Sequence, residues 1–423
     1  MGHAVNYLLG LLLLFAPQNP SLESGSPRER EAAINKMAVE GNRDAIPQLA
    51  AALKKEPRGD TRAQMVAALG RIRDRAAVPT LTETLKSDLD KGVRSQSIDS
   101  LLRIYIPIEE TGTIRTIFNK VKSVFLEADA PVVAAGVQVD TATKEALATS
   151  MQRDFDDEVR SQAVRALASL RATDQVEVLM TALEDPQNRE HRSVRVEMVK
   201  TLGRLRDPKA GPILERALRD SDNQLVAEAV LGIGLVGHNS ARPLLEEMFR
   251  TNSNSLIKSR SLEALSLLRD PGSVPLFESL LAHTNDNYRE LSAEGLARQN
   301  YAGAKDWRTR FDVEKRANVR NALAYGLIAS GDADYMNDLA NALDSRQSSQ
   351  VEAYIFELGT SGGKLPELHR YLRSGNPKVR AAMVRIVGNI GDPSSAEQIR
   401  PLTDDPNTDV VREAVAALRR LSR

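Results

Sequence analysis

"DDEVRSQAVRALASLRATDQVEVLMTALED" (residues 156–185) decides the fold once it is set beside "HRSVRVEMVKTLGRLRDPKAGPILERALRD" (191–220) and "NPKVRAAMVRIVGNIGDPSSAEQIRPLTDD" (376–405). Each stretch opens on an Asp, Asn or His turn and runs through Val-Arg into a helix of small and aliphatic residues. A short turn, often holding Asp-Pro, leads to a second helix ending near Leu-x-x-Asp. The Arg of the pair, or the residue in its place, recurs at Arg30, Arg62, Arg94, Arg160, Arg195, Val226, Lys258, Arg289, Arg320, Glu352, Arg380 and Arg412. The steps are 32, 32, 66, 35, 31, 32, 31, 31, 32, 28 and 32 residues, one double period among single ones. A period of about 20–50 residues marks supersecondary units that cannot bury their apolar face alone and must stack.

Within a unit the spacing is helical. Val159, Ala163, Ala166, Leu167 and Leu170 share one stripe, as do Val194, Met198, Leu202 and Leu205. Asp207-Pro208, Asp270-Pro271 and Asp392-Pro393 stop the first helix and open the second, Asp capping free N–H groups and Pro fitting a first turn. The expected product is all-α, a right-handed α–α superhelix of about eleven helix pairs with one insertion. Its segments are 1–26 (signal peptide and linker), 27–106 (N-terminal repeats), 107–142 (inserted helix plus extended loop) and 143–423 (repeats with a C-terminal capping helix).

The repeated Val-Arg and Asp-Pro signature resembles HEAT repeats, in particular the bacterial subtype also found in phycobilin lyase subunits, over about nine-tenths of the chain. The resemblance implies a scaffold or binding surface. It also implies ladders between adjacent repeats, formed by the Asp of the turn and the Arg of the helix. By match, Asp157 with Arg160 and Asp409 with Arg412 would be rungs, Arg195 and Arg380 would belong to the same series, and the ladder would break at Val226 and Glu352.

Composition narrows the function classes. Apolar residues make up 42% and charged residues 27%, enough to bury a core. Lys plus Arg number 57 and Asp plus Glu 57, so no global field favours nucleic acid or anionic lipid. The stretch from Arg289 to Arg320 is mildly basic, eight Lys/Arg against five Asp/Glu, too little for a polyanion track. The absence of cysteine removes disulfides, thiolate nucleophiles and Cys-bound metal. The apolar run Leu8–Ala16 has the length of a signal-peptide core and is too short to span a bilayer, so export to the periplasm or beyond is expected, with a cytoplasmic place as the alternative. It departs from the signal pattern in having no Lys or Arg before it and Pro17 directly after it.

Short motifs dissolve on inspection. "GIGLVG" (232–237) matches the dinucleotide glycine pattern but ends a repeat helix instead of opening one after a strand, so close packing and a left-handed cap at Gly237 are expected. "GTSGGKL" (359–365) has the wrong spacing for a P-loop and Leu365 where a hydroxyl is needed. "DPNTDV" (405–410) lacks the glycine and the glutamate of a calcium loop. "RGD" (58–60) sits in a turn, and the five histidines have no ligand spacing. No catalytic, cofactor or metal residues are expected.

Two features remain. Nine of 17 aromatics lie between residues 288 and 371, and "YAGAKDWRTRFDVEKR" (301–316) holds the single Trp among basic residues. Tyr288, Tyr301, Trp307, Arg308, Arg310 and Phe311 are therefore candidate partner contacts, since Trp, Tyr and Arg dominate binding hot spots. The double period contains "IEETGTIRTIFNKVKSVFLEAD" (108–129), amphipathic through Ile114, Ile117, Phe118, Val121, Val124 and Phe125, then "APVVAAGVQVDTAT" (130–143), whose Val132, Val133, Val137 and Val139 are further candidates. The insertion is expected between two successive repeats, with Leu147 and Met151 resuming a first helix. The expected function is a non-enzymatic scaffold binding a protein or peptide on its concave face or inserted rim. The alternative, by resemblance, is a subunit of a bilin lyase or related protein-modifying complex.

Overall fold

The computed structural model describes residues 22–24, 26–106, 132–133, 136–301, 306–361 and 363–422. The apolar run Leu8–Ala16 and the amphipathic stretch Ile114–Phe125 lie outside them. Among the described residues there are twenty-three α-helices and no strand. In chain order they alternate as first and second helices of eleven repeats, with one helix more.

The chain divides into two compact units. The first holds α1 (Pro27–Glu40), α2 (Ala45–Leu53), α3 (Gly59–Ile72), α4 (Val78–Ser87), α5 (Lys91–Tyr105), α6 (Thr141–Arg153) and α7 (Asp157–Ser169). The second opens with α8 (Val176–Glu184), α9 (Arg192–Leu205), α10 (Gly211–Ala217), α11 (Asn223–Val236), α12 (Arg242–Thr251), α13 (Ser255–Leu268), α14 (Val274–Leu280) and α15 (Asp286–Arg298). It continues through α16 (Trp307–Val313), α17 (Ala317–Ala329), α18 (Met336–Ala342), α19 (Ser348–Thr360), α20 (Leu365–Leu368), α21 (Pro377–Ile390), α22 (Ala396–Ile399) and α23 (Thr408–Leu421).

The first helices are cut to one length by matched signals at both ends. Asp90, Asp156, Asp222, Asn254, Asn285, Asn376 and Asn407 each accept the backbone N–H groups of the opening turn. Fifteen residues beyond the cap the backbone turns left-handed in five of these helices, at Arg171, Gly237, Arg269, Asn300 and Gly391, and Arg73, Arg206 and Gly331 end α3, α9 and α17 in the same way. The Asp-Pro turns perform as expected: Asp207, Asp270 and Asp392 accept the N–H two residues on, at 2.8–2.9 Å, and the proline opens a 3-10 turn into the second helix.

The apolar stripes are the core. Val159, Ala163, Ala166, Leu167, Val194, Met198 and Leu202 are buried, as are their counterparts in other repeats. First helices approach closely where small residues face each other. A Cβ on Gly203 would stand 2.7 Å from the Gly232 Cα, and one on Gly234 would stand 2.7 Å from the Ala264 Cα. "GIGLVG" is thus a packing seam joining α9, α11 and α13, closed by Gly237 at φ 73°.

The insertion falls elsewhere than expected. α6 packs on α4, the second helix of the preceding repeat, while α7 packs on α5. So α6 is the second helix of the third repeat, and the extra residues lie inside that repeat, between its two helices. Only five residues separate α3 from α4, where thirty-five separate α5 from α6. The return of the chain is anchored: Tyr105 bonds to Asp140 (2.5 Å) and to Thr143 (3.0 Å), and Arg75 donates to the Gln138 carbonyl (2.6 Å).

Candidate functional site

The Val-Arg arginines build a ladder, with partners other than those implied by resemblance. Arg62 donates to the carbonyls of Glu56 and Pro57 in the turn before its helix and to both carboxylate oxygens of Asp88, at 2.8 Å each, in the turn after its repeat. Arg94 joins the carbonyls of Asp88 and Leu89 to Asp154 in the same manner, and Arg289 and Arg380 do so with Glu314 and Asp405. Arg30–Glu56 and Arg195–Asp220 complete the series. The acid is therefore 25 or 26 residues downstream, or 60 where the insertion intervenes, and lies two residues before the next cap. Arg30, Arg62, Arg94, Arg289 and Arg380 each staple two successive turns, while Arg195 bonds to the acid alone; charge-assisted, mostly bidentate bonds are the strong class.

Of the two rungs implied by resemblance, Asp409 and Arg412 do meet, but inside one helix and not across repeats. Arg160 donates to the Met151 carbonyl (2.7 Å), and Asp409 meets Arg412 only as a solvent-exposed contact at 3.1 Å. Caps fix the register: Asn407 places Val411 where Asn376 places Arg380, so Arg412 stands one residue beyond the ladder position. Where Val226, Lys258 and Val351 hold the arginine's place, Glu352 like Arg412 standing one residue beyond it, Asn252, His283 and Ser374 replace the acid. Each of these still accepts the N–H two residues on, so the turn survives without its staple.

Asp88, Glu314 and Asp405 respond as paired carboxylates do. The Arg380 guanidinium holds Asp405 below the usual carboxylate range. Burial pushes Asp88 up, but bonds from Arg62 and the Asp90 N–H outweigh it and leave Asp88 lowered.

On the tips of stapled turns stand apolar side chains. Leu89 (96% exposed) and Phe155 (fully exposed) occupy the same position, between ladder acid and cap, in consecutive turns of the first unit, and the exposed Pro57 precedes them. Neither Leu89 nor Phe155 was a sequence candidate. The signal was present, an apolar residue held between two acids in "DLD" (88–90) and "DFD" (154–156).

The expected aromatic contacts prove largely internal. Trp307, 2% exposed, inserts its ring over Gly326, where any Cβ would overlap it. Phe311 is buried between Tyr335, edge-on at 4.8 Å, and the Arg320 guanidinium at 4.0 Å. Neither offers a surface to a partner. Tyr288 packs edge-on against Phe249, Tyr301 bonds to Glu278, Arg308 pairs with Asp332, and Arg310 donates to the Leu281 carbonyl. Of the inserted valines, Val133 is buried and Val132, Val137 and Val139 are half-buried.

Aromatics of the same region belong to a polar cluster on the first helices α13, α15, α17 and α19. Arg298 forks onto Glu357 (3.0 and 3.1 Å) and reaches Glu294 (3.2 Å) and Ser266 (3.2 Å). Tyr354 donates to Glu294 (2.5 Å) and Tyr325 to Glu357 (2.9 Å), their rings stacked at 4.7 Å. Gln350 donates to Glu290 (2.5 Å) and Tyr354 (2.7 Å), and Asn318 also donates to Glu290. Burial, then the charge of Glu294, pushes Glu290 up to about 7, and burial raises Glu294 as well. Glu290, Glu294 and Arg298, four residues apart, share one helix face, a spacing legible in the sequence but unread.

Further along, α19, α21 and α23 line a groove of about 240 Å³ in which Arg385 bridges Glu352 (2.5 Å) and Glu413 (3.3 Å), with Lys378, Asp409 and Arg412 at its walls. Among the described residues no group of three or more His, Asp or Glu is placed to hold a metal ion, and no helix is long and apolar enough to cross a membrane.

Comparison with known proteins agrees with this geometry. No curated protein sequence matches the chain. Among solved structures it is similar to yeast importin β (TM-score 0.54, 12% identity, 98% of this chain and 62% of that one) and to the yeast Kap95:Nup1 complex (0.52, 12%, 99% and 57%). The chain thus spans less than two-thirds of either. The complex of CpcE and CpcF of phycocyanin lyase from Nostoc is also similar, at 20% identity over 69% of this chain and 92% of that one, with a TM-score of 0.33. The HEAT-repeat family matches at residues 20–102, 145–232, 220–297 and 352–419, well over half the sequence, and the chain belongs to that family.

Proposed function

We propose that the protein is a scaffold that binds a protein partner through the stapled turns of its first unit. The observation that supports this most is the pair Leu89 and Phe155, fully solvated at equivalent tips joined by the Arg94 rung. Single exposed apolar residues are ordinary, but two at one repeat position, on turns held rigid by buried ion pairs, form a preorganised apolar edge. Covering each side chain would contribute about 1.5–3 kcal/mol. Yeast Kap95, whose fold the chain shares, is held in a complex with Nup1, which agrees with a binding role. The partner is expected to present apolar side chains.

Photo-activatable residues at positions 89 and 155 test this, with Glu145, exposed on α6, as the control site. The same protein should be captured from both tips and not from the control, and with the photo-activatable residue at one tip, Asp at the other (F155D or L89D) should abolish capture while leaving the thermal midpoint unchanged. Capture of unrelated proteins from the two tips, or undiminished capture in the presence of the Asp substitution, would refute the reading.

A further inference from the structure

In stacked repeats each unit ordinarily touches its neighbours alone. The polar cluster breaks that rule: Gln350–Glu290, Tyr354–Glu294 and Glu357–Arg298 join residues 59 or 60 apart, from α19 over α17 to α15, two repeats away. What crosses that span is hydrogen bonding between charged or chargeable groups, not apolar packing.

The groups do not balance when all are ionised. Three carboxylates, Glu290, Glu294 and Glu357, face one fully enclosed guanidinium, Arg298, with Arg269 at the rim 3.8 Å from Glu357. The other facing charges do not close the gap. From α13 comes Glu263, already paired with Arg260 (2.6 Å); from α15 itself comes Asp286, with Arg316, the residue before α17, 3.6 Å away. Tyr325 and Tyr354 donate their protons to Glu357 and Glu294 and carry no charge. One proton placed on the Glu290–Glu294 pair restores neutrality. A proton on Glu290 needs an acceptor, and the Gln350 carbonyl supplies one when the amide turns over, in place of the N–H that Glu290 accepts in its ionised form.

We propose that this cluster is a proton-operated latch: with one proton shared by Glu290 and Glu294 it clasps α19 to α15 across the intervening repeat, and with both ionised it opens at the Gln350 end. Opening admits water to the second carboxylate and lets α19 draw away from α15. The raised proton affinity of Glu290 puts the transition near neutral pH. The device is independent of the partner edge, which lies in the other unit.

The chain has no cysteine, so two introduced ones can carry spin labels without interference. Thr284, before α15, and Ser349, in α19, are both exposed. Pulsed electron–electron distances between labels at T284C and S349C should be short and narrow at pH 5.5 and longer and broader at pH 8.5. Glu290→Gln, which fixes the uncharged form, should hold the short distance at both. His283, which packs on Tyr288 near the start of α15, is kept in both proteins, so a response carried by it would persist in the variant. Distances independent of pH in the parent, an equal shift in E290Q, or loss of helical circular dichroism throughout the chain at pH 8.5 would overturn the latch.

Discussion

Trp307 and Gly326 illustrate how much one position decides. The indole fills the space that a side chain at 326 would take, its nearest atom 1.3 Å from where a Cβ would sit, so Gly326→Ala must displace the ring or α17. Overpacking of this kind costs about 1–3 kcal/mol, and Trp307→Ala, which empties the same space, about 3–5 kcal/mol. Both should appear as lowered denaturation midpoints, with unaltered capture at positions 89 and 155. Arg206 makes the opposite case. It ends α9 at φ 53°, where L residues are strained and glycine is not. Arg206→Gly should therefore raise stability by about 0.5–1 kcal/mol, read as a higher urea midpoint with an unchanged slope.

Helices and turns are held by rungs whose strength depends on burial. Asp154 and Arg94 are nearly enclosed, so Arg94→Met would leave a buried carboxylate without its cation, at a cost of about 3–5 kcal/mol. A urea titration of that variant, beside Arg412→Met as an exposed comparison with little effect, separates rung from ornament. The same pairs set the acid limit. Asp88 and Asp405 have lowered native proton affinities, so their contribution is present above their unfolded value and lost as pH falls through the native one. Glu290 has the opposite sign: its affinity is raised, so its contribution is complete below about 4.5 and lost as pH rises towards about 7. Stability should hence peak on the acid side of neutrality, and Glu290→Gln should flatten the alkaline flank of a midpoint-against-pH profile. The repeat, its caps and its Asp-Pro turns were legible because each is written locally, within one helix turn. The rungs were not, because their halves lie 25 or more residues apart and chemistry alone does not say which acid an arginine will reach. Trp307 was misread for a related reason: its environment is made by Gly326, on the next helix.

At the scale of the molecule, the extra residues inside the third repeat interrupt a unit without dismantling it. Removing 107–136 would leave five residues between α5 and α6, as between α3 and α4, and would keep Gln138, Asp140 and their bonds. The shortened chain should fold with the parent's helical content and a thermal midpoint within a few degrees, as circular dichroism would show; collapse of the transition would mean that the segment is part of the core. The ladder carries a last implication about descent. Arginine and acid of a rung both lie within a single period, one at its head and one at its tail. A segment copied whole during duplication therefore brings its own closed pair, whatever it lands beside. At Val226 with Asn252 and at Lys258 with His283 both halves are absent, so neither turn is left with a charge that lacks its counterpart.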